Sequence, residues 1–254
     1  MNQTTKRNMV IVLVFVIFWQ IASMRINKSL FMPSPEETLE SLEGLIKNGT
    51  LLQHIGASFG RITAGVMVAT CFSVPLGMVI AWVKLANRWL YPVIVAMSFI
   101  PVTCFSVLLV LYLGIGELMK IVFIAIAVSF SMLPSVIQTC QAPNDKLKET
   151  AYTMGFSYPR MLWYCMIPYI MPNLINLIIN GYSVGWNYVI LAELTNTAHG
   201  LGHLMHVGKA RGNTALVFAS MLILVCISFV FTKICKILLG RRCEWWEGKE
   251  SKNE

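Results

Sequence analysis

Apolar residues in this chain run in long blocks separated by short polar stretches. No Asp, Glu, Lys or Arg occurs in 8–24, 62–83, 89–116, 121–144, 161–192 or 212–232. A helix needs roughly 20 predominantly apolar residues to cross a bilayer. Five blocks reach that length and the first falls slightly short. They predict an all-α membrane protein with six transmembrane helices, at about 8–24, 52–83, 89–113, 118–138, 168–192 and 213–236. One long connection, residues 139–167, remains, and no room is left for a soluble domain. Residues 1–254 therefore read as a single transmembrane domain.

The polar stretches carry local signals. Ser34-Pro35-Glu36-Glu37 has the layout of a capping box with Pro in the first helical turn. The helix it opens places Leu39, Leu42, Leu45 and Ile46 opposite Glu36, Glu40 and Glu43, and stops at Asn48-Gly49. Gly56-x-x-x-Gly60, then Gly65, and Gly181-x-x-x-Gly185 are small-residue spacings that let helix backbones approach closely. Arg61 falls near a span end, where it can snorkel or pair with a carboxylate. Pro92 and Pro101 can kink the third span. Gly114-Ile115-Gly116-Glu117 makes a short turn. Asn173, Asn176, Asn180 and Asn187 in the fifth span are costly facing lipid and should point into the bundle or a wet cavity.

Composition sharpens this picture. The chain is 56% hydrophobic and 13% charged, where soluble domains carry about 25% charged residues. Its net charge is +8. Lys84, Arg88, Lys146, Lys148, Arg160, Lys233, Lys236, Arg241 and Arg242 share one side of the predicted topology with Lys6 and Arg7. The positive-inside rule makes that side cytoplasmic, together with both termini and the 139–167 loop. The basic balance thus reports topology and not nucleic acid. Trp245 and Trp246 suit an inner interfacial anchor. The cysteines lie mostly in or beside apolar spans, without metal or disulfide spacing. Lys6-Arg7, Met9 to Phe18 and Ala22-Ser23 also have the layout of a signal peptide. Its removal would leave five spans in the same orientation.

The missing chemistry discriminates further. Ion-coupled carriers need ionisable residues within the bilayer, and the middle of every span lacks them. There is no Gly-x-x-x-x-Gly-Lys-Ser/Thr phosphate loop, so the chain should not hydrolyse ATP. Asp145 is the only aspartate, and no span holds a carboxylate pair or a His-Glu motif, so no catalytic residue is expected. His199, His203 and His206 have spacings of four and three, but Gly200 and Gly202 interrupt a helix there. A structural role is favoured over a metal site.

The 139–167 loop is the informative segment. Pro143-Asn144-Asp145 supplies a stop and an N-cap for a short helix over Lys146 to Met154. Gly155 can end that helix in the left-handed conformation, and Ser157 and Pro159 start another that leads into the fifth span. Leu147, Ala151 and Met154 share a face beside the charges of Lys148 and Glu149. Such a helix suits docking into a partner's groove or resting on lipid headgroups.

Glu149-Thr150-Ala151-x-x-x-Gly155, followed by Cys165-x-Ile167-Pro168, resembles the EAA loop of ABC importer permeases. Thr150, Cys165 and Ile167 replace the family's Ala, Ile and Leu. The likeness extends from about Met32 to Arg242 through Pro33-Ser34-Pro35, Ser58-x-x-Arg61, Pro75-Leu76-Gly77, Ile100-Pro101, Gly114-Ile115-Gly116-Glu117, Ala192-Glu193, Gly200-Leu201-Gly202 and Leu216-Val217-Phe218-Ala219. These look like the nitrate/sulfonate/bicarbonate branch, also described as binding-protein-dependent transport inner-membrane components.

The resemblance implies a type I ABC importer permease fold in a bacterial plasma membrane. It implies two copies as a homodimer, ABC ATPase subunits on the cytoplasmic side and a solute-binding protein outside. ATP and Mg would be bound by the ATPase and no cofactor by this chain. Glu149, Thr150, Ala151, Gly155 and Pro168 would couple the ATPase to the spans. Ser129, Ser131, Asn180, Trp186 and Asn187 are candidate residues of the substrate pathway. Small anions such as a sulfonate, nitrate or bicarbonate are typical of the branch. An uncharged vitamin precursor of the thiamine-pyrimidine or riboflavin type is the alternative. An ion-coupled secondary carrier and a membrane scaffold or sensor are the remaining classes.

Overall fold

The computed structural model describes residues 3–26, 31–142, 145–195 and 197–242, and every regular element among them is a helix. In order these are α1 (Gln3–Ile26), α2 (Pro35–Lys47), α3 (Leu51–Trp82), α4 (Lys84–Met97), α5 (Thr103–Leu113), α6 (Glu117–Gln141), α7 (Asp145–Thr153) and α8 (Tyr158–Met161), then a π-helical turn (Leu162–Met166), α9 (Ile167–Glu193), α10 (Leu201–Ala210) and α11 (Thr214–Arg242). Pro143, Asn144, Trp245 and Trp246, which carry expectations above, lie outside the described residues.

Among the described residues four helical stretches are long and apolar enough to cross a membrane: Leu51–Trp82, Glu117–Gln141, Tyr158–Glu193 and Thr214–Leu239. The apolar helices Leu13–Arg25 and Thr103–Leu113 are shorter. The expected third span, 89–113, is not one helix. It breaks between Met97 and Thr103, where Phe99 and Ile100 N–H groups turn back to the carbonyls of Ala96 and Met97. Pro101, which has no N–H to continue an α-helical ladder, ends the segment. The expected kink is a full interruption.

The residues group into two compact units. The first comprises Met1–Phe59 and Glu193–Cys226. Its α2 opens with the expected capping box. Ser34 Oγ accepts from Glu37 N–H at 3.2 Å, and Glu37 Oε2 accepts from Ser34 N–H at 2.9 Å. The helix stops at Asn48, followed by Gly49 at φ 66°. Its apolar stripe is only partly covered, with Leu39 and Ile46 well exposed. Helix α1 makes contacts within this unit. Trp19 Nε1 donates to the Pro33 carbonyl, Ser23 Oγ donates to that of Met32, and the Trp19 ring stacks on Phe218 with centroids 5.7 Å apart. Helices α10 and α11 form a tight hairpin, since a Cβ on Gly208 would come within 2.8 Å of Val217.

The second unit comprises Gly60–Ala192 and Ile227–Glu254. Its core is α3 against α6 and α9, through Ile62, Val66, Phe123, Ile124 and Val128. Glycines let these backbones approach. A Cβ on Gly65 would lie 2.6 Å from Ile124, one on Gly77 2.6 Å from Val136, and one on Gly185 2.8 Å from Ile62. Gly181 meets Met132 and Val128, so the Gly181–Gly185 spacing works as expected. A Cβ on Gly56 or Gly60, by contrast, would meet nothing within 4 Å among the described residues. The same motif is filled on one helix and empty on another, because only the facing helix decides its use.

Candidate functional site

The connection between α6 and α9 folds into a compact knot. Helix α7 ends in a Schellman arrangement: Phe156 N–H donates to the Ala151 carbonyl and Gly155 N–H to that of Tyr152. Gly155 sits at φ 78°, which glycine reaches without steric cost. A Cβ there would meet nothing within 4 Å among the described residues, so its constraint is conformational. Ala151 is buried against Met161 and Met166, with Phe156, Leu162 and Cys165 packed around them. The expected docking face is therefore divided. Ala151 turns onto its own chain, whereas Glu149, Thr150, Tyr152 and Met154 are exposed.

Ser157 opens the next helix in extended conformation with Pro159 in its first turn. That helix runs through the π-turn into α9. Ile167 N–H reaches back five residues to the Leu162 carbonyl. Pro168 gives a physical reason, since in an α-helix its ring would collide with the Tyr164 carbonyl. The proline singled out in the sequence thus stands directly after the widened turn.

A cavity of about 520 Å³ opens beside the break between α4 and α5. Its walls include Ser98, Pro101, Phe130, Ser131, Val184 and Tyr188. Of the five pathway candidates, the structure brings Ser131 to this cavity. Ser131 Oγ donates to the Val128 carbonyl at 3.0 Å. Ser129 is half-buried, and Asn180 and Asn187 are exposed. Trp186 is 1% exposed and packs inward, so within the chain it does not narrow an open passage. Sequence reasoning missed Ser98 and Tyr188. The adjacent Ile100-Pro101 was the available signal for Ser98.

Two polar clusters join motifs far apart in sequence. In the first unit, the buried Glu193 carboxylate accepts from Ser58 Oγ at 2.8 and 3.0 Å and from Gly202 N–H at 2.8 Å. Ser58 Oγ in turn accepts from Leu201 N–H at 2.9 Å. The carboxylate and hydroxyl thereby satisfy donors at the start of α10, where a helix leaves its first N–H groups open. Gly200 at φ 142° lies so close that a Cβ would strike the Glu193 carboxyl group. His54 Nδ1 is 3.0 Å from Gly200 N–H, and its ring lies 5.8 Å from His199 and 5.9 Å from His203. His206 stays exposed. Among the described residues no group of three or more His, Cys, Asp or Glu is placed to hold a metal ion.

In the second unit, Arg61 binds Glu117 by two bonds, Nε to Oε2 at 2.6 Å and a terminal guanidinium nitrogen to Oε1 at 2.8 Å. Lys120 Nζ joins the same carboxylate at 3.0 Å. Arg61 and Lys120 are buried and Glu117 is 60% exposed at the turn that opens α6. These clusters are anchors for turns and helix ends, with no nucleophile or general base set against an open site.

Residues 73–241 match the family described as "Binding-protein-dependent transport system inner membrane component". The taurine transport system permease protein of Escherichia coli (strain K12) is 27% identical over 92% of this chain and 86% of its own length. A Bacillus subtilis (strain 168) permease protein named for aliphatic sulfonates transport is 22% identical over 91% of this chain and 84% of its own. The riboflavin transport system permease protein of Chloroflexus aurantiacus is 23% identical over 93% of this chain and 88% of its own.

Proposed function

Since the chain belongs to the family of binding-protein-dependent transport system inner membrane components, we propose that with a second copy of itself it lines the path of an importer for a small organic sulfonate or a similar anion. The chain is the permease subunit of an ABC transporter in the inner membrane, and not itself an enzyme. Its working partners are ATPase subunits and a solute-binding protein. The taurine permease, similar over nearly the whole chain, is the observation that carries the substrate class.

Six crossings complete the topology in this reading, with α1 as the first and α4 and α5 together as the third. Both termini and the α7 loop then face the cytoplasm, a placement that the distribution of Lys and Arg supports. Glu149, Thr150 and Gly155 meet the ATPase, while Ala151 and Pro168 shape the loop that presents them. The chain binds no cofactor, and ATP with Mg stays on the partner. Differential binding of the two loops by open and closed ATPase dimers supplies the energy that reorients the spans.

The cavity beside Ser98 and Ser131 forms part of the path, with Ser129, Asn180 and Asn187 facing it or the second copy. No Lys or Arg lines it, so the solute-binding protein selects the anion and the membrane path provides weak polar contacts. A second reading, an uncharged riboflavin-type solute, rests on the Chloroflexus relative.

The deciding experiment reconstitutes the chain in proteoliposomes with its ATPase and binding protein. ATP-dependent uptake of taurine, exceeding that of riboflavin, is expected. Uptake driven by an ion gradient without ATP overturns the importer reading, and preference for riboflavin overturns the substrate class.

A further inference from the structure

The knot at the head of α9 carries more than the loop motif explains. Met161 and Met166 are 1% and 3% exposed, and both belong to one buried cluster with Ala151 of α7. Five residues apart on an α-helix, two side chains diverge by about 140° at 3.6 residues per turn. They join one cluster here across a π-turn, closed by the bond from Ile167 N–H to the Leu162 carbonyl. A π-turn absorbs one extra residue and returns the next side chain to the original face. Trp163 and Tyr164, inside the same turn, are 70% and 74% exposed. The widened turn therefore sorts two methionines inward and two aromatics outward.

Helix α7 has nine residues, too few to hold a helix in water unaided. Its C-terminal cap fixes where it stops but not how it is oriented against the span. The one buried side chain it presents, among its described positions, is Ala151. A small residue clustered with two methionines allows close approach, and thioether side chains fill irregular space.

We propose that Met161 and Met166, set to one side by the π-turn, are positioning residues that grip Ala151 and hold α7 in one orientation on the head of α9 throughout transport. This rests on the coupling role assigned to the loop above. Neither methionine touches the solute or the ATPase in this proposal. They act through α7.

The test uses the complete complex in proteoliposomes, with three measurements: the amount of chain in the membrane, ATP hydrolysis and uptake. Replacing both methionines, Met161→Ala with Met166→Ala, is expected to leave membrane levels unchanged. Uptake per ATP hydrolysed should fall by about tenfold, the scale of a lost coupling interaction. Met161→Leu with Met166→Leu, which conserves volume, should restore it to within about twofold. Unchanged coupling in the Ala pair, or membrane level and uptake falling together, overturns the proposal.

A second variant reads geometry without relying on transport. Ala151→Cys with Met166→Cys, in a chain carrying Cys165→Ser, should form a disulfide on mild oxidation. The cross-linked complex should transport at the reduced rate or above. No cross-link refutes the contact. A cross-link that blocks uptake, relieved by reductant, refutes fixed orientation. If the unmodified complex shows no ATP-driven uptake while the cross-link forms, the importer reading fails and the contact stands.

Discussion

The Arg61 guanidinium grips the Glu117 carboxylate through two hydrogen bonds, 2.6 and 2.8 Å long, across 56 residues of sequence. The paired geometry suits a planar guanidinium and not an ammonium. Lys120 shares the carboxylate at 3.0 Å, so one exposed acid serves two buried bases.

Glu117→Gln should therefore destabilise the chain beyond what an exposed residue normally costs. It leaves two cations close together in a buried setting without their shared acid. A loss of about 1–2 kcal/mol is expected, reduced from a fully buried pair by the solvent around Glu117. Adding Lys120→Met should recover part of it. Thermal unfolding in detergent measures both, and an unchanged midpoint for Glu117→Gln contradicts the arrangement.

Glu193→Ala should be costlier. Ser58 Oγ and Gly202 N–H both donate to this buried carboxylate, and bonds to a charged group contribute about 1.5–3 kcal/mol each. Glu193→Gln keeps an acceptor and should retain more stability than Ala. Equal unfolding midpoints for the two variants would remove the carboxylate from its anchoring role.

Gly155 separates conformation from contact. Ala at φ 78° is strained by roughly 1 kcal/mol, while Asn tolerates the left-handed region better. Gly155→Asn should accumulate normally in the membrane. If this surface docks the ATPase closely, the added side chain should still weaken co-purification and uptake. Normal uptake by the Asn variant places the contact elsewhere.

Gly185→Ala should lower stability by about 1–3 kcal/mol through overpacking, because its Cβ would lie 2.8 Å from Ile62 Cγ2. Ile62→Ala should relieve that clash in a double-mutant cycle. Gly60→Ala meets open space within the chain and should be neutral or stabilising by up to about 1 kcal/mol. A severe loss at Gly60 in the assembled transporter, absent in the isolated chain, would put this face against a second copy.

Local chemistry made much of this legible from sequence. Ser34 and Glu37 signal their cap through bonds three residues apart, and Gly155 signals a helix end because few residues adopt its conformation. Gly114 to Glu117 reads as a turn for the same reason. Long-range outcomes were not visible. Nothing near Ser58 announces Glu193, and His54 stands outside the His199–His206 spacing that drew attention. An α-helical period over α7 puts Ala151 on a docking face, but it is buried in one cluster with Met161 and with Met166 of a π-turn that begins eleven residues later. The third span read as one apolar block because hydropathy does not register backbone breaks. Pro101 marked the place and left the size of the interruption open.

The Ser58–Glu193 bond closes across 135 residues. At roughly 5–20 residues per second of synthesis, on the order of ten seconds separate the two side chains' emergence. Ser58 is thus delivered to the membrane well before its acceptor exists. The unit built from residues 1–59 and 193–226 can close only after α9 has been made, so a chain cut short before Glu193 would hold Ser58 in the membrane without the carboxylate it donates to.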